Sequence, residues 1–191
     1  MYAINTETKA DYWEVEALYD LCFAPGREAL SSYRLRENTK PIAELCLIAR
    51  DEQHILAGAI RYWPVKIKEY SALLLGPIAV HPTRQGEGLG SLLIKDSLKQ
   101  AENLGHSRVL LIGDLPYYSR LGFKKLSNVK MPQPTNPERV LGIELVFGAW
   151  DILGGSVELW LIRSLNEINS LFCLLSFRLH LSYPQICLDM L

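Results

Sequence analysis

The chain has 191 residues, of which 49% are hydrophobic, and its 20 basic and 21 acidic residues leave a formal net charge of −1. This length suffices for one domain with a large core, and the balanced charge excludes a general nucleic-acid binder, which carries a basic excess. The four cysteines lack Cys-x-x-Cys spacing and no signal-peptide pattern opens the chain, so we expect no metal site and a cytoplasmic protein with reduced thiols.

The first third of the chain alternates between strand and helix patterns. We expect strands over residues 2–6, 44–50 and 55–63, and helices over residues 12–23 and 27–38. Asp11 and Glu14 have the spacing of an N-cap pair for the first helix. Pro64 is expected to end the third strand, since proline removes a ladder donor.

The middle of the chain predicts a buried strand, a glycine-rich loop and a helix. Residues 72–80 are apolar on both faces, as in a central strand. The helix over residues 92–104 is expected to face the core through four residues, Leu92, Leu93, Leu98 and Ala101. Gly105 then ends it as a C′ residue, and a further buried strand follows over residues 109–112.

The loop between that strand and helix has the form of a phosphate site. A helix N-terminus offers unpaired N–H groups and favours negative charge, and glycines let the backbone approach a ligand. A P-loop would need Lys-Ser or Lys-Thr after its last glycine, where this chain has Ser91-Leu92. A dinucleotide fingerprint needs Gly-x-Gly-x-x-Gly, whereas Gly86, Gly88 and Gly90 give Gly-x-Gly-x-Gly.

A third motif fits the loop. Gln85-x-x-Gly88-x-Gly90, after a strand ending in Val80-His81-Pro82, resembles the coenzyme A pyrophosphate loop of the GNAT N-acetyltransferases. Residues 114–123, Asp-Leu-Pro-Tyr-Tyr-Ser-Arg-Leu-Gly-Phe, resemble the later signature of that family, in which a tyrosine precedes Gly-Phe by four residues. Residues 75–82 and Gly113-Asp114 are most like the bacterial YhbS-like branch. A glycine-rich turn that binds nothing is the alternative explanation for the loop.

The resemblance implies an α/β (α+β) GNAT fold, in which a central, mixed, mostly antiparallel sheet is split around a thioester and flanked by helices. It covers residues 3–153, which we take as the acetyltransferase domain, and leaves residues 154–191 as a C-terminal extension. Strands are also expected over residues 140–147 and 157–159, separated by a turn at Gly154-Gly155.

The resemblance also implies acetyl-CoA as cofactor and an amine as acceptor. The cofactor-binding residues would be Ile78, Ala79, Val80, Gln85, Gly86, Glu87, Gly88, Leu89, Gly90 and Ser91. The strand edge at Ile78–Val80 would pair with the pantetheine arm, one of its N–H groups would polarise the thioester carbonyl, and a slot would open between Val80 and Val109. Backbone N–H groups from Gly86 to Ser91 would face the pyrophosphate.

Tyr118 would be the catalytic residue, donating a proton to the thiolate of coenzyme A, although a packed aromatic residue is the alternative. Tyr117, about 100° away on a helix, is expected in the core. The general base stays unassigned: Asp114 is at least as well explained as a helix cap, and His81 before Pro82 is better explained as a residue that shapes the strand exit. The acceptor site is expected from residues 23–28, Tyr62, Trp63 and the loop of the 130s, with no metal.

The C-terminal segment carries a helical stripe of apolar residues at spacings of four and three. Its members are Leu161, Leu165, Ile168, Phe172, Leu175 and Leu179. Its longest uncharged run, residues 168–177, is far shorter than the ~20 residues that cross a bilayer. We expect an amphipathic helix that packs on its own domain or forms a homodimer interface, with weaker support for a membrane-surface role.

The function predicted from these patterns is acetyl transfer from acetyl-CoA to a primary amine, by direct attack on the thioester. The acceptor is a small molecule or a protein N-terminus, and the sequence selects neither. A coenzyme A-binding sensor or interaction module without turnover is the alternative of another class.

Overall fold

The structure is a computed structural model that describes residues 2–23, 26–151 and 153–160. These residues belong to the first of two compact units, Met1–Trp160. The helix expected in the C-terminal segment lies outside the described residues. The division after residue 153 stays a prediction, and the strand that follows it pairs within this first unit.

The described residues form nine strands. They are β1 (Ala3–Thr6), β2 (Leu47–Arg50), β3 (Leu56–Ile67), β4 (Tyr70–Val80), β5 (Arg108–Ile112), β6 (Lys124–Lys125), β7 (Val129–Lys130), β8 (Val140–Glu144) and β9 (Gly155–Leu159). The order across the sheet is β1-β2-β3-β4-β5-β8-β6, while β9 pairs with β3 and β7. Only β4–β5 and β7–β9 are parallel among these pairs, so the expected mixed, mostly antiparallel sheet is confirmed.

Three α-helices accompany the sheet in the described part of the chain: α1 (Tyr12–Phe23), α2 (Leu89–Asn103) and α3 (Leu115–Tyr118). The first packs on one face through Val15, Leu18 and Tyr19, against a cluster that includes Ala79 of β4. The second packs against the main core cluster. The sheet is therefore covered on both sides along β3 and β4, which places β4 at the centre of the molecule.

The inward face of α2 differs from the prediction at one residue. Leu93, Leu98 and Ala101 are buried as expected, but Leu92 is 40% exposed and Ile94 is buried in its place. The helix also begins earlier than predicted, at Leu89. Gly105 has a φ of +81° and ends the helix with the Schellman bond from the His106 N–H to the Ala101 carbonyl.

The second predicted helix is wrong as an α-helix. Residues 27–38 contain two 3-10 segments, Arg27–Ala29 and Ser31–Arg36, separated by the extended Leu30 (φ −64°, ψ 140°). Side chains of this segment bind residues of other elements. The Arg27 guanidinium pairs with carboxylates of α1, and these tertiary bonds override the local helical pattern.

Pro64 does not end its strand, because β3 continues to Ile67. Its pairing with β2 reaches Ile60, and its pairing with β9 starts at Val65. Pro64 falls between these two paired stretches, on an edge where its missing N–H removes no ladder bond.

Candidate active site

The central feature of the site is a gap between two parallel strands. β4 and β5 pair only at Leu73↔Val109 and Leu74↔Leu110, yet β4 runs on to Val80. Beyond Leu74 the edge of β4 that faces β5 has no partner strand in the described structure. Val109 lies at the joined end of the two strands, so the predicted slot between Val80 and Val109 is wrong in that boundary. The gap opens past Leu110 instead.

The free edge of β4 presents alternate backbone groups to this gap. The His81 N–H donates to the Ala57 carbonyl of β3 at 2.8 Å, and the register continues as Ala59↔Ala79 and Ile60↔Ile78. Antiparallel pairs alternate between bonded and non-bonded, so the Ala79 N–H also faces β3. The N–H groups of Ile78 and Val80 therefore point into the gap.

A bulge in β4 precedes these donors. The register jumps from Ile60↔Ile78 to Tyr62↔Leu75, which leaves Gly76 and Pro77 outside the regular ladder. Two side chains hold their carbonyls: the Trp63 indole donates to Gly76 O at 2.8 Å and the Tyr19 hydroxyl donates to Pro77 O at 3.3 Å. These bonds replace the ladder bonds that the bulge breaks.

The glycine loop leaves its backbone donors open. Gly88, the N-cap of α2, has a φ of +81°, and the Leu92 N–H is the first in α2 to reach a carbonyl, Gly88 O at 3.1 Å. Within the described chain, the N–H groups of residues 86–91 donate to none of the protein's own carbonyls. A Cβ at Gly86 or Gly88 would meet no atom within 4 Å, so the loop has open space in front of it.

The side chains of the loop have separate partners. Gln85 donates to the Val80 carbonyl at 3.2 Å, and the Tyr2 hydroxyl donates to the Glu87 carboxylate. Leu89 is only 2% exposed and packs in the core beneath the loop. Leu89 can therefore meet a ligand only through its backbone.

Tyr118 lies at the end of α3, beside the gap. Its ring packs edge-on against Phe123, with centroids 5.6 Å apart, and against the main core. Burial raises the pKa of Tyr118 to about 12, and the negative charge of Asp114 adds to this effect. The phenol therefore keeps its proton at neutral pH.

The prediction that Tyr117 belongs to the core is wrong. Tyr117 is 41% exposed, and its hydroxyl lies 3.4 Å from Ser91 Oγ. A Cβ built on Gly90 would lie 3.0 Å from that hydroxyl and 3.6 Å from Val80 Cγ2. α3, the glycine loop and the end of β4 thus meet at Gly90, and Tyr117 stands over the N-terminus of α2.

The two candidate bases have structural partners. Asp114 is the N-cap residue of α3 but makes no side-chain capping bond, and its carboxylate pairs with Arg139 Nε at 3.2 Å. His81 Nδ1 lies 2.8 Å from Thr83 Oγ1 and accepts from the Thr83 N–H. His81 thus shapes the strand exit, and the base stays unassigned.

The gap opens into a cavity of about 500 Å³ that is lined by both Ile78 and Tyr118. Its other walls come from segments expected in the acceptor site, Phe23 and the loop at residues 134–136. Tyr62 was expected there too, but it is fully buried and its hydroxyl lies 2.8 Å from Ser97 Oγ in the core. Trp63 lines a neighbouring cavity of about 670 Å³.

The structure also bears on metals and membranes. In residues 2–23, 26–151 and 153–160, no cluster of three or more His, Cys, Asp or Glu side chains could hold a metal ion. None of the helices in these ranges is long and apolar enough to cross a membrane.

Comparison of the sequence with known proteins identifies its relatives. A sequence model of the acetyltransferase (GNAT) domain matches residues 43–125. The uncharacterized N-acetyltransferase YhbS of Escherichia coli K12 is 29% identical over 123 residues, or 63% of this chain and 72% of the relative. The uncharacterized N-acetyltransferase YjhQ of the same organism is 28% identical over 135 residues, or 68% and 73% of the two chains.

Solved structures agree with these relatives. YhbS of Escherichia coli, crystallised in complex with CoA, superimposes with a TM-score of 0.73 at 25% identity, covering 83% of this chain and 89% of the other. A GNAT acetyltransferase of Brucella melitensis, in complex with acetyl-CoA, gives 0.62 at 28% identity, with 83% and 95% coverage. The chain therefore contains a match to the acetyltransferase (GNAT) domain over residues 43–125 and shares its fold with these GNAT acetyltransferases.

Proposed function

We propose that the chain transfers the acetyl group of acetyl-CoA to a primary amine, with its residues 78–91 and Tyr118 as the site. One observation carries this assignment. The open amides of residues 86–91, the free edge of β4 and the helix of Tyr118 converge at Gly90. A glycine-rich turn that binds nothing would not require an unpaired edge of the central strand beside it.

The proposed cofactor contacts follow from which donors are free. The N–H groups of residues 86–91 face the pyrophosphate, because a helix N-terminus with open space favours an anion. Gln85 supports the loop through Val80 O. The N–H groups of Ile78 and Val80 pair with the pantetheine arm in the way that an added strand would, whereas the Ala79 N–H is committed to β3.

Acetyl-CoA supplies a thioester whose carbonyl carbon the amine attacks. The Ile78 N–H, one of these two free donors, is assigned to the thioester carbonyl at the end of that arm, whose oxygen gains negative charge. Donors aimed at such charge are worth about 3 kcal/mol of barrier. Because this donor belongs to the backbone, substitutions at Ile78 act on it only through packing.

Tyr118 donates a hydrogen bond to the thiolate of coenzyme A as it leaves. A thiol has an ordinary pKa of ~8.5, so a phenol with a pKa of about 12 holds its proton and acts first as a hydrogen-bond donor. The Tyr118 phenol ionises only at a pH above that of any ordinary assay. We therefore expect no loss of rate from Tyr118 deprotonation between pH 7 and pH 10.

Replacing Tyr118 by phenylalanine tests this role. We expect Tyr118→Phe to lower kcat by roughly 10²-fold, the lower range for loss of a positioned acid, while calorimetry finds the affinity for acetyl-CoA nearly unchanged. Release of free thiol over a panel of amines measures kcat. Tyr70→Phe is the matched control, because Tyr70 loses the same hydroxyl at the far end of β4.

Two results would contradict the proposal. If calorimetry finds no binding of acetyl-CoA to the wild-type protein, the loop assignment fails. If acetyl-CoA binds but no amine releases thiol, the chain is a coenzyme A sensor or interaction module instead. Unchanged turnover in Tyr118→Phe removes only that residue from the mechanism.

We further propose a cytoplasmic location, which the free thiols of Cys22 and Cys46 support because reducing compartments keep cysteines unpaired. A homodimer formed through the C-terminal segment also stays a proposal, since that segment lies outside the described residues.

A further inference from the structure

Arg36 is a half-buried cation without an acceptor for two of its donors. Its Nε and Nη1 atoms are buried and have no hydrogen-bond partner among the described residues. The guanidinium lies over the Tyr33 ring at 4.1 Å from the centroid and near the Trp63 ring at 5.7 Å. Burial lowers the pKa of Arg36 to about 10, which still leaves it charged at neutral pH. Ring faces partly compensate a cation, but they accept no conventional hydrogen bond.

Other arginines of the same region are fully paired. Arg27 and Arg61 are as buried as any charged residues of the described core, and Arg50 is half-buried. Each of the three binds two carboxylates. The pairs are Arg27 with Glu16 and Asp20, Arg50 with Asp11 and Glu14, and Arg61 with Glu7 and Glu16. Arg36 therefore differs from these three arginines. Arg108 at the start of β5 also has a buried Nε without a partner, but it does not line the cavity of Ile78 and Tyr118.

Arg36 also stands next to the proposed reaction centre. It lines the same cavity as Ile78 and Tyr118. A Cβ built on Gly76 would lie 3.3 Å from Arg36 Nη2, so the guanidinium adjoins the bulge. Ile78 follows Gly76 by two residues, across the bulge. An anion held by Arg36 therefore lies in the same cavity as the proposed reaction centre.

We propose that Arg36 binds a carboxylate of the acceptor, which makes the acceptors amino acids. The inference rests on the proposed acetyl transfer and names its substrate class. An arginine–carboxylate contact spans about 2.8 Å, and an attacking amine sits about 3–3.5 Å from the carbonyl carbon. Because Arg36 and Ile78 line the same cavity, the carboxylate and the amine can belong to one small molecule.

Asp114 lines the same cavity as Arg36, but its carboxylate already pairs with Arg139 Nε at 3.2 Å, so it is not a free partner for the acceptor's amine. The α-carboxyl group at a protein N-terminus is an amide and carries no charge, so a cation in this cavity favours a small molecule over a protein acceptor.

Matched acceptor pairs test the inference. Wild-type protein with acetyl-CoA is assayed for thiol release with each amino acid of a panel and with its carboxamide, including β-alanine and its amide. We expect KM to be at least ~10-fold lower for the acids, as for loss of one buried charge-assisted bond. In Arg36→Gln this preference disappears, because KM rises for acids and stays unchanged for amides, and acetyl-CoA binds as before. Arg36→Lys keeps part of the preference.

Controls separate charge recognition from folding. Arg34→Gln changes an exposed arginine of the same 3-10 segment, whose Nη1 donates to Gln133 O at 2.8 Å, and should keep the wild-type preference. Melting temperatures report whether each variant folds. Equal KM for acids and amides in the wild type, or an equal loss for both in Arg36→Gln, overturns the inference, as does acceptance of long peptide N-termini alone.

A binding measurement keeps the two proposals distinguishable. Calorimetry compares an N-acetylated amino acid with its amide on wild type and on Arg36→Gln, without any need for turnover. Preferential binding of the acid by the wild type alone supports the carboxylate site even if no thiol is released. Absence of that preference rejects the site while leaving acetyl transfer to other amines intact.

Discussion

Gly113 illustrates how one residue at the site depends on the absence of a side chain. Its φ is not in the left-handed region, so conformational freedom is not the reason for glycine there. A Cβ at this position would overlap the Tyr118 ring and approach Leu111 Cδ1 to 2.8 Å. The space that glycine leaves is therefore what allows the Tyr118 ring to lie against the end of β5.

We expect Gly113→Ala to displace the Tyr118 ring. Stability should fall by about 1–3 kcal/mol, as for overpacking, and kcat should fall at least ~10-fold, because a 1 Å misplacement is costly to catalysis. Acetyl-CoA affinity should persist, since the amides of residues 86–91 are untouched. Urea denaturation, thiol release and calorimetry measure the three quantities.

Gly105→Ala provides the comparison for Gly113→Ala. Gly105 has a φ of +81° and open space around its Cβ position, so alanine there costs about 1 kcal/mol of backbone strain far from Tyr118. A loss of kcat in Gly105→Ala as large as in Gly113→Ala would show that instability alone explains both.

Single residues also mark the limit of the sequence analysis at this scale. The 100° step between Tyr117 and Tyr118 predicts different faces, and the two side chains do differ in burial. Which face is buried was predicted wrongly for Tyr117, because α3 is one turn long and its surroundings, not its pattern, decide. Arg36 could not be found at all, since the lack of a carboxylate near it is a tertiary property. Its spacing of three from Tyr33 is the only local signal.

At the scale of elements, the start of α1 differs from the predicted N-cap pair. Asp11 Oδ2 accepts from the Thr8 N–H at 2.8 Å and from Thr8 Oγ1 at 2.6 Å, and Oδ1 accepts from Arg50 at 2.7 Å. Glu14 also binds Arg50. Asp11 therefore ties the helix to the preceding turn and to β2 instead of capping it. The hydrogen bonds from Thr8 and then Arg50 lower the pKa of Asp11 to about 2.

This lowered pKa predicts a pH-dependent contribution to stability. The carboxylate stabilises the fold above its unfolded pKa of ~3.9, and the contribution is lost as the pH falls toward the folded value of about 2. Asp11→Asn keeps an acceptor for Thr8 but removes the charge. Since Arg50 lies near solvent, screening leaves about 1 kcal/mol at pH 7.

Urea denaturation of wild type and Asp11→Asn at pH 7 and pH 2.5 measures this difference. We expect the gap in unfolding free energy to shrink by more than half at the lower pH. The same gap at both values would mean that the charge is irrelevant. Glu14→Gln, which removes an Arg50 partner that is 47% exposed, should cost less.

Whether a segment forms a helix or a strand could be predicted from the sequence where its apolar pattern was long. The apolar run of β4, the length of α1 and the glycine that ends α2 all express local physics, and the structure confirms them. The gap between β4 and β5 depends on how two distant strands diverge after Leu74↔Leu110, which no local pattern encodes. Only the resemblance to the GNAT family anticipated a slot, and its boundary at Val109 was wrong.

Across the whole molecule, buried charge links α1 to the sheet. Arg61 of β3 donates through Nε to Glu7, which follows β1, at 2.7 Å and through Nη1 to Glu16 of α1 at 2.5 Å. The side chains of Arg61 and Glu7 are 7% and 9% exposed. Glu16 also accepts a hydrogen bond from Arg27. One network of hydrogen bonds therefore connects Glu7, β3, α1 and Arg27.

Replacement by methionine should lower the unfolding free energy much more at Arg61 than at Arg36. Arg61→Met leaves the buried carboxylate of Glu7 without its arginine partner, while Glu16 keeps Arg27, so we expect a loss of about 3–5 kcal/mol. Arg36→Met removes a cation that binds none of the described carboxylates, and an apolar side chain fills its place, so the change should stay within about 1 kcal/mol. Urea denaturation at pH 7 measures both.

The outcome distinguishes two reasons for burying an arginine. A large loss in Arg61→Met that Glu7→Gln partly restores in the double variant identifies a structural pair, because the second change removes the stranded charge. A loss of similar size in Arg36→Met would mean that Arg36 also holds the fold together, through its contacts with Tyr33 and Trp63. A small change in Arg36→Met would mean that this cation adds little to stability, as expected of a residue kept for ligand binding, since binding sites often trade stability for function.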